Sequence, residues 1–168
     1  MRKILLTILI TSTAYAEQFF LFGSTSNIVT IAPEDTAKTS SDLNIRRTGL
    51  AFNTASLVIA SKCDNEASET QYTVAASNVE DVTTLGTYQA PSSGKVRFKE
   101  TTTPGVYEIH LANARFAVTG AKSCFVRLSG AATTRDTIKE FQLLDSAPDV
   151  NIISSDIPLG GGSKWSTW

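Results

Sequence analysis

Hydrophobic and polar positions alternate in short runs along this chain, and each run is bounded by Gly, Pro, Asn or Ser. Residues 106 to 111, VYEIHL, set the pattern. Val106, Glu108 and His110 fall on one side of an extended ribbon, and Tyr107, Ile109 and Leu111 fall on the other. Runs of the same kind recur as EQFFLFG, SNIVTIA, LVIASKC, TQYTVA, VTTLGTYQA, KVRFKE, SCFVRLSG and TIKEFQLLD, rich in the β-branched and aromatic residues that suit a pleated surface. Turn signals arrive about every ten residues, a spacing that predicts nine or so strands in an all-β, immunoglobulin-like antiparallel sandwich. One segment departs from the pattern: the small residues of LANARFAVTG predict one or two helical turns before Gly120. PEDTAKTSSDLN has neither period and reads as a loop.

The first sixteen residues follow a different grammar. A basic start (MRK), a short apolar run (ILLTILI), a polar spacer (TST) and a small-x-small ending (AYA) make a signal-peptide-like segment, too short in its apolar part to span a bilayer. Cleavage after Ala16 removes Arg2 and Lys3 and takes the net charge from −1 to −3. The competing reading is a retained anchor or a buried first strand. Residues 17–47 then hold N-terminal strands and the polar loop, 48–146 the sandwich core, and 147–168 a tail.

At 168 residues, 42% hydrophobic and 18% charged, the chain is long enough for one domain with a core of its own. Its Lys and Arg form no cluster, which argues against nucleic acid as a partner, because phosphate backbones are bound by concentrated positive charge. Cys63 and Cys124 share no C-x-x-C spacing and have no companions for a zinc site. Each lies in phase with the apolar residues of its own run, so they read either as a disulfide worth about 4 kcal/mol on the chain-entropy model or as two separate buried thiols.

Pro104 and Gly105 open the VYEIHL run. Pro104 fixes its φ, Gly105 turns freely, and Tyr107 then stands at the start of a strand with its hydroxyl able to reach backbone, as in the tyrosine corner of immunoglobulin-like sandwiches. At the other end, GGGS makes a flexible link before Trp165 and Trp168, the only tryptophans in the chain. Aromatic rings on such a tether read as a docking tail for a neighbouring subunit.

Taken in order, Thr48-Gly49-Leu50, Pro104-Gly105-Val106-Tyr107, Asn113 to Gly120, Phe125 to Gly130 and Asp149-Val150-Asn151 resemble a β-sandwich module of structural proteins in tailed bacteriophages and prophages. The resemblance runs from residue 48 to 152. It implies a virion or appendage component of the tail, baseplate or fibre kind, with other assembly subunits as partners and a homo- or hetero-oligomeric state. A signal-like start departs from that pattern, so the expected location is the virion, or the host periplasm or exterior if the segment is cleaved.

No G-x-S-x-G elbow, H-E-x-x-H helix or phosphate-binding glycine loop is present. His110, the sole histidine, reads as a surface residue without a nucleophile beside it, and Asp64, Glu66 and Glu69 read as a solvated acidic turn rather than a calcium loop. Glu80 and Asp81 are placed in a second turn. The chain is therefore expected to be no enzyme and to take no cofactor, metal or small-molecule substrate. Its expected role is structural. The alternative is a secreted or periplasmic adhesin-like or carbohydrate-binding sandwich, which needs an exposed aromatic platform drawn from Tyr72, Tyr88 and Phe98.

Overall fold

The computed structural model describes residues 18–39, 42 and 45–145, and they form an all-β sandwich. In chain order the strands are β1 (Gln18–Leu21), β2 (Val29–Ile31), β3 (Val58–Cys63), β4 (Thr70–Thr73), β5 (Val79–Asp81), β6 (Val96–Glu100), β7 (Tyr107–His110), β8 (Ser123–Ser129) and β9 (Thr137–Leu144). One sheet has the order β1-β9-β8-β3-β4 and the other β2-β7-β6-β5. The chain changes sheet three times after β2, the crossing pattern of Greek-key sandwiches. Most pairs are antiparallel, but β1 runs parallel to β9 and β5 parallel to β6, so both sheets are mixed. The expected helical turn is a single 3-10 turn at Asn113–Phe116. Among the described residues no helix is long and apolar enough to cross a membrane.

Alternation delivers the core. Ile59, Val126, Leu128 and Phe141 of the first sheet face Val29, Phe98, Tyr107 and Ile109 of the second, and all eight are fully buried. Each apolar side chain removed from water in this way contributes roughly 1.5–3 kcal/mol. One end is closed by a triangle of rings from three elements: Phe20 of β1 lies 5.0 Å from Phe116 of the 3-10 turn and 5.3 Å from Phe141 of β9.

One strand lies elsewhere than its run predicts. VTTLGTYQA is not extended; β5 ends at Asp81, and residues 82–95 make an irregular excursion before β6. Local side-chain bonds explain the difference. The Gln89 Oε1 atom accepts from both the backbone N–H and the hydroxyl of Thr83, at 2.9 and 3.0 Å, closing the segment on itself instead of leaving it to a ladder.

The corner at Pro104 is a turn closed by Val106 N–H donating to Thr103 O at 3.1 Å, with Gly105 at φ 73° in the position that requires a positive angle. Tyr107 is fully buried, and its hydroxyl does reach backbone, though not locally. It accepts from Leu50 N–H at 3.2 Å and donates to Arg47 O at 2.7 Å. Burial pushes the phenol up to about 12. Glu100 reinforces the join, accepting from Gly49 N–H at 2.8 Å and from Gly105 N–H at 2.6 Å. The Thr48-Gly49-Leu50 and Pro104-Gly105-Val106-Tyr107 motifs, fifty-odd residues apart in sequence, are thus one structural joint.

Candidate functional site

Cys63 ends the inward row of β3 and stands directly opposite Cys124 of β8, and the two are bridged. The bridge is buried, and the turn after β3 is fastened around it. Asp64 accepts from the N–H groups of Lys122 and Ser123, at 3.2 and 3.3 Å. The Asn65 amide donates to Thr119 O at 2.6 Å. Glu66 takes both guanidinium nitrogens of Arg115, at 2.7 and 2.6 Å, and also the Cys63 N–H. Arg115 and these hydrogen bonds hold the Glu66 carboxyl below the usual carboxylate range. Glu69 pairs with Arg127 at 2.5 Å.

This acidic turn is exposed at Asp64, Asn65, Ala67 and Ser68, as its composition predicts, but its carboxylates are also tied to the rest of the fold. Its oxygens accept from Arg115 of the 3-10 turn, from Arg127 of β8 and from backbone N–H groups of Cys63, Lys122 and Ser123, pairings that local sequence does not announce. Among the described residues no cluster of three or more His, Cys, Asp or Glu side chains is arranged to hold a metal. Glu80 and Asp81 lie in β5 rather than in a turn. Glu80 meets Lys95 at 3.4 Å and Arg97 at 3.2 Å, and Asp81 meets Lys99 at 3.2 Å.

His110 also departs from expectation: it is fully buried, and its neighbour on the same face, Glu108, is nearly so. The excursion after β5 folds over that face of β7 and covers both. Gly86 N–H donates to the Glu108 carboxylate at 2.9 Å, and Gln89 N–H donates to His110 Nδ1 at 3.1 Å. Tyr88 stacks on the imidazole with ring centres 5.5 Å apart and donates its hydroxyl to Leu111 O at 2.9 Å. Because a backbone N–H only donates, Nδ1 is the acceptor, and the ring proton sits on Nε2, 3.4 Å from Glu108 Oε2. Burial pushes His110 below its ordinary value, against the pull of Glu108. The histidine thus meets an acidic partner, but beneath a covering segment rather than in a cleft.

Of the three rings considered for a binding platform, Tyr72 and Phe98 lie in the core and Tyr88 spends one face on His110. An open hollow of about 640 Å³ lies between the end of β2 and the start of β9, lined by Ala32, Glu34, Arg135, Asp136 and Ile138. Within it Arg135 pairs with Glu34 at 2.8 Å, and Asp136 pairs with Arg127 at 3.6 Å. Apolar side chains are exposed mainly along and just after β1, where Phe19, Leu21 and Phe22 are 55%, 43% and 40% accessible, with Ile138 of β9 at 57%. The signal-like segment 1–16, Trp165 and Trp168 lie outside the described residues.

Comparison with known proteins returns no match: no family model fits the chain, and no curated protein or solved structure is significantly similar to it.

Proposed function

We propose that this protein is a non-catalytic structural module of a phage-type virion or appendage that packs against neighbouring subunits through strand edges and terminal arms. The observation that carries the reading is the division of labour among side chains. The carboxylates and the histidine fasten loops to sheets, while unsatisfied apolar surface gathers at β1, an edge strand among the described residues. Edges and apolar rows of this kind recruit other chains.

Sedimentation of the purified protein, alone and mixed with assembled particles or host envelope, tests the proposal. Self-association or co-sedimentation is expected, and the pair Phe19→Ser and Leu21→Ser should weaken it without loss of the folded spectrum. A strictly monomeric protein found in neither fraction sinks it.

A second reading, an exported module, is favoured by one observation, the Cys63–Cys124 bridge, since such bonds persist in oxidising compartments. A purified product whose N-terminal sequence starts at Glu17 is its expected mark.

A further inference from the structure

Residues 82–92 lie over the outer face of the second sheet and are held there by six fasteners. Lys99 donates to Val82 O at 2.7 Å, Gly86 N–H to Glu108 at 2.9 Å, and the Tyr88 hydroxyl to Leu111 O at 2.9 Å. Gln89 N–H donates to His110 Nδ1 at 3.1 Å, Arg97 Nε to Ala90 O at 3.1 Å, and Ser92 N–H to Glu80 at 3.2 Å. One of the six requires a particular protonation state near neutrality. Histidine is the side chain whose ordinary charge change falls between about pH 5 and 8, and here it serves as an acceptor.

We propose that residues 82–92 form an acid-sensitive strap, seated while His110 is neutral and lifted when a proton occupies Nδ1. A protonated ring would set its own N–H against the Gln89 N–H, turning one hydrogen bond into a clash of two donors. Of the charged groups facing the ring only Glu108 favours the added proton, and burial outweighs its pull. Glu108, two residues earlier on β7, already has its Oε2 opposite Nε2 and its carboxylate bonded to Gly86 N–H. Arg97, opposite His110 on β6, adds positive charge to the same face. Lys99 is turned to Asp81, and Glu80 to Lys95 and Arg97. Tyr88 is a neutral phenol whose hydroxyl is occupied. The imidazole can accept the second proton only by gaining water, and water reaches it when the strap opens. The lifted strap bares His110 and Glu108 and leaves the disulfide-linked first sheet in place.

Amide hydrogen exchange on the full chain between about pH 7.5 and 5, corrected for intrinsic rates, tests the strap. Protection at Gly86 and Gln89 should fall by about tenfold or more, while β3 and β8 amides keep theirs, because the opening is confined to the strap. His110→Asn, which keeps an acceptor for Gln89 N–H but does not titrate, should abolish the pH response. Should that variant fail to fold, the wild-type protein still decides, since its single histidine gives one assignable imidazole. A neutral ring carrying its proton on Nε2, whose titration coincides with loss of protection in the strap, upholds the proposal. A proton on Nδ1 at neutrality, protection in the strap that is unchanged down to pH 5, or simultaneous loss across β3 and β8 overturns it.

Discussion

Single side chains fasten loops of this protein to residues far away in the chain. The Tyr107 hydroxyl serves a donor and an acceptor from residues 47–50 at once, so Tyr107→Phe leaves Leu50 N–H and Arg47 O short of a partner in a largely buried place. The expected cost is roughly 1–3 kcal/mol, read as a lower urea midpoint with unchanged slope. His110 sets an acid limit. Its folded value lies below the ordinary 6.5, so the unfolded chain takes up the proton first. Stability is therefore full above about pH 6.5 and drains as pH falls from there toward the folded value. Glu66 and Glu80 are held below the ordinary 4.5, by Arg115 and by Ser92 respectively, so a second loss begins as pH falls below about 4.5. Urea midpoints measured from pH 8 to 3 should show a plateau and then two descending stages, and a midpoint that rises between pH 7 and 5.5 contradicts the account. At this scale the sequence was legible where chemistry is local: Pro104 and Gly105 announce their turn, and Tyr107 announces an anchor. It was silent on Glu100 and Arg115, whose partners lie far away in the chain.

Among the elements, alternation within a run was a sound guide to strands, and eight of the nine fall on the runs that predict them. The ninth fails at VTTLGTYQA because Gln89 closes a local loop that period-two patterning does not register. The irregular segment that stands in place of that strand covers the polar side of β7, so His110, expected at the surface, is buried. The bridge across β3 and β8 is a matter of register, which pairs Cys63 with Cys124; the sequence supplied only their phase. Replacing both by Ala should lower stability by about 4 kcal/mol, from the 61-residue separation it ties, as measured by denaturant unfolding against the oxidised wild type. Gly130, just after β8, has φ 79°, and a Cβ there would press into Ser56 O. Gly130→Ala should therefore destabilise by roughly 1–3 kcal/mol in the same assay, despite adding one methyl group.

For the molecule as a whole, the two sheets share one core, and each sheet draws an edge strand from the first thirty-one residues. Residues 18–31 thus belong to the same sandwich as the stretch from 48 onward, a fact invisible to motifs that begin at Thr48. The parallel partnership of β1 and β9 has a mechanical consequence. The chain enters this pair at Gln18 and leaves it at Leu144, at opposite ends of the ladder. Tension applied through the two flanking segments would strain the rungs together in shear instead of peeling them one by one, and under load the lifetime is set by the unfolding rate. If that ladder slips, the link between Cys63 and Cys124 withholds the intervening stretch, about 200 Å of contour, from extension. Such a body is suited to bearing a pull along its own length.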